Sequence, residues 1–170
     1  KPVDLAPSME RIRKATHAWE LTEPSTKFVV HRLEHKYTER NLAFTKLKGR
    51  DQAMAHMALK CGVLDVHLVL VQKHQTGEPE SDYGYRGYRG YDDEPSDKRM
   101  GEVHDESVDV LRWISSNDTV KQISGIYIGD DDMLDEDEPL FFDDDSPDEK
   151  DYEGYTGNAG PTLEYTYRVA

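Results

Sequence analysis

Only one cysteine, Cys61, occurs in the 170 residues, so the chain can form no disulfide within itself. That scarcity fits a reducing compartment, and the expected location is cytoplasmic or nuclear. Long apolar runs are missing as well. None approaches the roughly 20 residues that a membrane-crossing helix needs, which argues against a membrane partner. Phenylalanine and tryptophan are few, four and two, and hydrophobic residues make up 36 % of the chain at a mean hydropathy of -0.84. Such a chain has little apolar material for a large core, so a small core with substantial loops is expected. The sequence also begins at Lys1 rather than Met and carries no basic-then-apolar leader, and this end is expected to be a cut one.

Positive charge is in short supply too: 21 Lys and Arg stand against 35 Asp and Glu, a net charge of -14. The excess is concentrated. Residues 130–153 hold fourteen acids and one lysine, a net -13, which leaves the rest of the chain near -1. The expectation is therefore a nearly neutral folding part carrying one acidic, solvated loop.

Along the chain, Ser8 is placed to cap a helix over "MERIRKATHAWEL", with Met9, Ile12, Thr16 and Trp19 at helical spacing. "KFVVHRL", residues 27–33, reads as a buried strand. "YTERNLAFTKLKG" reads as helical or mixed, with Leu42, Phe44 and Leu47 on its apolar side. Asp51 then caps a second helix, "QAMAHMALK", that stops at Gly62. Residues 63–73, "VLDVHLVLVQK", are the densest in β-branched residues and the best strand. Residues 76–101 are Gly, Tyr, Pro and charge without apolar periodicity, and are expected to be a mobile insertion. "EVHDESVDVLRWIS" and "ISGIYIG" read as further strands. The resulting division is 1–75 helix and strand, 76–101 insertion, 102–129 strand part, 130–153 acidic loop, and 154–170 closing loop and strand. Helices first and strands later, divided by long loops, predict an α+β fold with a small, mostly antiparallel sheet.

Seven histidines invite a metal reading. A facial triad for ferrous iron needs two histidines and a carboxylate converging on one side of the ion. In its usual sequence form, His-x-Asp/Glu precedes a second His by tens of residues. The one such pair, within His104-Asp105-Glu106, has no histidine after it. Zinc is disfavoured by the single Cys and by the lack of paired ligand spacing. No nucleophile elbow and no phosphate loop occur, because "YGYRGYRGY" lacks the following Lys-Ser/Thr. The acidic run lacks the central Gly and the register of a calcium loop. In "YGYRGYRGYDD" only Arg86 and Arg89 bring charge, and acids flank them, which disfavours nucleic acid. Catalytic and metal-ligating residues are expected to be none in this chain. Leu140, Phe141 and Phe142, apolar residues inside the acidic run, are candidates for an anchor on a basic protein partner.

Two stretches carry a resemblance. "LEHKYTERNLAFTKLKGRDQAMA", residues 33–55, resembles a segment of large fungal and bacterial proteins that carry a prolyl-4-hydroxylase-like 2-oxoglutarate/Fe(II) oxygenase domain. The family motif Leu-Glu-His-x-Tyr-Thr-x-x-Asn-Leu with a downstream Leu-Lys-Gly is matched by residues 33–42 and 47–49. The closing "YTGNAGPTLEYTYRVA" resembles the family's Thr-Gly-Asn-x-Gly loop at Thr156, Gly157, Asn158 and Gly160. An aromatic and basic strand follows, begun by Tyr165, Tyr167 and Arg168. The family has Glu where Ala159 stands, and its strand runs on past this chain's Ala170, so the resemblance implies a truncated end.

The resemblance implies an oxidoreductase parent using Fe(II) and 2-oxoglutarate, with iron ligands in an upstream core that this sequence does not match. The chain itself is then expected to be a non-catalytic accessory region, substrate-engaging or structural, whose partner is that upstream core; no cofactor is expected in it. Residues 156–160 either present backbone N–H groups to a substrate or form a tight turn that needs glycine. The alternative reading is a free-standing acidic protein-interaction module.

Overall fold

The computed structural model describes residues 6–21, 28–80, 99–123, 125–135, 137–142, 146–154 and 160–170. It has an α+β architecture: α1 (Ala6–Leu21), α2 (Gly49–Cys61) and five strands, β1 (His67–Pro79), β2 (Met100–Ser115), β3 (Val120–Lys121), β4 (Glu149–Glu153) and β5 (Thr162–Val169). The strands form one antiparallel sheet in the order β3-β2-β1-β5-β4. Among the described residues, no helix is long and apolar enough to cross a membrane.

By its contacts the chain divides into two compact units. The first comprises Lys1–Val71, Val110–Phe142 and Val169–Ala170, and the second Gln72–Asp109 and Asp143–Arg168. In the first, Tyr37, Leu42, Leu47, Leu68, Leu70 and Ile114 form the core, and Leu33, Phe44, Ala55 and Ala170 pack against it. Leu70 and Ile114 are 0 % and 1 % exposed. The apolar residues of "NLAFTKLKG" thus reach the core as expected. They do so from turns and a single 3₁₀ turn, Phe44–Lys46, rather than from a helix. Asp118 holds that turn in place, accepting the Phe44 N–H and the Thr45 hydroxyl at 2.7 and 3.1 Å.

α1 begins at Ala6 and takes Pro7 into its first turn, where a missing N–H costs nothing. Ser8 therefore lies inside the helix rather than capping it. The helix buries none of its residues fully; Arg13 Nε donates to the Cys61 carbonyl at the end of α2 at 3.2 Å. Gly62 ends α2 in the left-handed region at φ 68, donating its N–H to the Leu59 carbonyl, a conformation that glycine adopts without steric cost.

Residues 28–33 do not form the strand expected of "KFVVHRL". Val30 alone makes a parallel bridge with Met133, and the Leu33 N–H goes instead to the Ala170 carbonyl. With bonds divided between two separate stretches, no ladder can propagate, and Val29 is left 48 % exposed. "ISGIYIG" is likewise not a strand: Ile128 is buried while Tyr127 is 72 % exposed, and the local strand is instead β3.

In the second unit, β1 and β2 continue beyond the boundaries expected for them. Residues 76–79 belong to β1 and residues 100–101 to β2, so the insertion is shorter than expected; its residues 81–98 lie outside the described set. The Glu80 N–H donates to the Arg99 carbonyl at 2.8 Å, extending the hairpin by a further pair. Where Gly77 faces β2 the strands come unusually close: a Cβ there would lie 2.2 Å from the Glu102 carbonyl oxygen. The outer strand β4 comes from the end of the acidic run, which was expected to be loop throughout. It pairs with β5 in the register Glu149↔Thr166 to Glu153↔Thr162. Leu163 and Tyr165 of β5 are buried, and the Tyr165 hydroxyl accepts the Met100 N–H at 3.1 Å.

Candidate functional site

The motif that carries the resemblance converges on one carboxylate. Asp51 lies in the first turn of α2, whose N-cap is Lys48 rather than Asp51 itself. Its side chain turns away from its own helix and is 1 % exposed. Oδ1 accepts the Glu34 N–H at 2.9 Å. Oδ2 accepts the His35 N–H at 3.1 Å, the His35 ring at Nδ1 at 2.9 Å and the Tyr37 hydroxyl at 2.9 Å. The Tyr37 hydroxyl in turn accepts the Lys48 N–H at 3.0 Å, closing a ring from the loop to the helix start and back. An ionised carboxylate only accepts, so His35 must carry its proton on Nδ1.

Burial alone would push the Asp51 carboxyl up. The Glu34 N–H, the His35 ring, the His35 N–H and the Tyr37 hydroxyl outweigh it and hold the group below its ordinary range. Tyr37 moves the other way: burial raises its phenol, the Lys48 N–H opposes, and the Asp51 charge adds to the rise. Both shifts favour one state, an anionic Asp51 beside a neutral Tyr37. Tyr37→Phe removes a donor to Asp51 and strands the Lys48 N–H. We expect it to lower stability by about 2 kcal/mol, read as a shifted urea midpoint at unchanged slope.

Glu34, His35 and Asp51 also place one potential ligand atom each within 4.8 Å of one another. Their bonding argues against a metal centre. Asp51 already receives four hydrogen bonds, which leave the His35 lone pair on Nε2 alone, and Glu34 pairs with Arg50 Nη1 at 3.1 Å. An ion seated among them would have to displace most of this network. The arrangement is suited to tying a loop to a helix.

A second feature of the first unit is a cavity of about 150 Å³ walled by Val30, Leu68, Val71, Ile128 and Leu140, with Arg32, His67 and Trp113 contributing polar groups. The rings of His67 and Trp113 lie 5.1 Å apart, and His67 Nε2 is 3.2 Å from Asp65 Oδ2. His67 Nδ1 and Trp113 Nε1 have no partner among the described residues, but both are sealed beneath other atoms. Neither can bond a molecule in the cavity unless its ring turns.

Of the candidate site residues, Thr156, Gly157 and Asn158 lie outside the described residues; Gly160 is exposed, with open space where a Cβ would stand. Leu140 is 4 % exposed and serves the interior of its own unit, its N–H held by Asp130 Oδ1 at 2.8 Å. Phe141 and Phe142 are half-buried, and the Arg32 guanidinium lies over the Phe142 ring at 4.5 Å. Several acids of the run act locally in the same way as Asp130. Asp132 accepts the Gly129 N–H, and Asp148 accepts the Arg168 N–H.

Sequence reasoning gave Asp51 only a capping role. The usable signal was a tyrosine and a histidine two residues apart, followed about fifteen residues later by an acid at a helix start. Comparison with protein-family models, with curated proteins and with solved structures yields no match to this chain.

Proposed function

We propose that this chain is a non-catalytic accessory region, in a structural or substrate-engaging role, of a 2-oxoglutarate/Fe(II)-dependent oxygenase-like protein, prolyl 4-hydroxylase-like in kind. One observation supports it: the motif on which the resemblance rests is consumed in building the fold. Leu33, Leu42 and Leu47 pack in or against the core, and His35 and Tyr37 close on Asp51. Residues engaged in this way hold a domain together rather than present reacting groups. Iron and 2-oxoglutarate belong, on this reading, to a core encoded upstream.

Two measurements test it. Reading the gene upstream of Lys1 should reveal a His-x-Asp/Glu…His oxygenase core; a start codon adjoining Lys1 overturns the proposal and favours an independent acidic interaction module. Anaerobic titration of the purified chain with Fe(II) should show no stoichiometric site. Tight one-to-one binding, followed by turnover of 2-oxoglutarate once oxygen is admitted, would overturn the non-catalytic assignment.

A further inference from the structure

Among the described residues, the sheet has one long side that bears little pairing. β1 flanks β2 on one side, and on the other β3 covers only Trp113 and Ile114. Within the second unit, residues 100–109 therefore present an outer edge that bears no strand among the described residues. Ten residues at about 3.3 Å each make an edge of roughly 33 Å, longer than an ordinary strand. Every second residue along it turns an N–H and a C=O outward. Residues 101–107 are all exposed, Val103 at 42 %.

Charge selects what such an edge can accept. Glu102, Asp105, Glu106 and Asp109 lie along it, with no lysine or arginine between residues 100 and 109. Glu106 is held by Gln75 and His104 lies 3.8 Å from Glu78, while Asp105 and Asp109 stand exposed. Open edges are commonly guarded by charge against pairing with a copy of the same chain. Antiparallel pairing of two such edges would bring acid against acid. The same four carboxylates attract a strand of the opposite sign and steer its approach. Main-chain bonds to the edge would supply affinity, and alternate basic side chains the specificity.

We propose that the outer edge of β2, residues 100–109, binds an extended lysine- or arginine-bearing segment of another protein as an added strand. This places a basic partner on the sheet edge rather than on Leu140, Phe141 and Phe142, and it stands independently of the oxygenase reading.

The test uses three capped octapeptides with the full chain: alternating Lys-Val, alternating Glu-Val, and a Lys-Val peptide of the same charge with two central valines replaced by proline. Amide exchange and calorimetry are followed at 50 and 500 mM salt. The Lys-Val peptide should protect alternate amides of residues 101–109 at least tenfold and bind at least tenfold more weakly at high salt. The Glu-Val and proline peptides should do neither. The double variant Asp105→Lys, Asp109→Lys should lose the Lys-Val peptide and gain the Glu-Val one. Equal binding of the proline peptide would overturn the proposal, since plain charge attraction would then explain the result. Protection of β2 that depends only on protein concentration would also overturn it, making the occupant a second copy. Absence of binding by the Lys-Val peptide does so directly.

Discussion

Asp51→Ala is expected to destabilise the chain by about 3–5 kcal/mol, the cost of removing one side of a buried, charge-assisted network. Four donors lose their acceptor together: the N–H groups of Glu34 and His35, the His35 ring and the Tyr37 hydroxyl. Domains of this kind have about 5–15 kcal/mol in total, so the loss is a large fraction of the stability and the melting temperature should fall by roughly 6–20 °C. Asp51→Asn should not rescue it. Its oxygen can replace one acceptor, but its amide then points hydrogens at donors that previously met Oδ2. The pH dependence follows from the depressed carboxyl. Because the folded group releases its proton more readily than the unfolded one, its contribution is complete above the ordinary carboxylate pKa of about 3.9. It is lost as pH falls through the lower, folded value. Thermal melts of wild type and Asp51→Asn between pH 7 and pH 2 check both points. The variant should be less stable at pH 7 and the gap should narrow below about pH 4. Equal stability at pH 7 would show that the network does not hold the fold.

Gly77→Ala is expected to be nearly as damaging and to act elsewhere. The added methyl would sit 2.2 Å from the Glu102 carbonyl oxygen and 2.7 Å from Met100 Sδ. The methionine can swing away; the backbone oxygen cannot move without parting the hairpin. Overpacking commonly costs 1–3 kcal/mol, and a clash against main chain should reach about 3 kcal/mol or more. Amide exchange distinguishes this from general unfolding. Protection should fall at Thr76, Glu78 and residues 101–103, while Leu70 and Ile114, in the other unit, keep theirs. A variant with wild-type melting and exchange would contradict so close an approach of the two strands.

The class of fold was legible because it rests on coarse features: helical spacing early in the chain, β-branched density in residues 67–71, and an aromatic strand at the end. Boundaries were less so. β1 was expected to stop at Lys73, yet it runs to Pro79 through Gly77 and Glu78, residues of poor strand propensity. Cross-strand pairing decides such positions, and a single strand's composition does not contain its partner. "KFVVHRL" erred in the opposite direction: good propensity met no continuous neighbour. β4 was hidden because "EKDYE" reads as part of an acidic run. Its pairing with β5 is supported by the Arg168 guanidinium, which meets Glu149 at 2.8 Å, a contact between residues 19 positions apart. The Asp51 network was half legible: helix start and acid were both seen, but the acid's partners lie before the helix rather than within its first turn.

The contacts around Asp51 join residues only 11 to 17 positions apart. Arg168 reaches Gln72 across 96 positions, and Asp118 reaches Phe44 across 74. Closing a short loop costs less entropy than closing a long one, and nearby contacts form sooner. During synthesis, then, the clasp at Asp51 can fasten as soon as the first helix turns beyond residue 49 have emerged. β5, synthesised later, arrives at a structure that already has a seam.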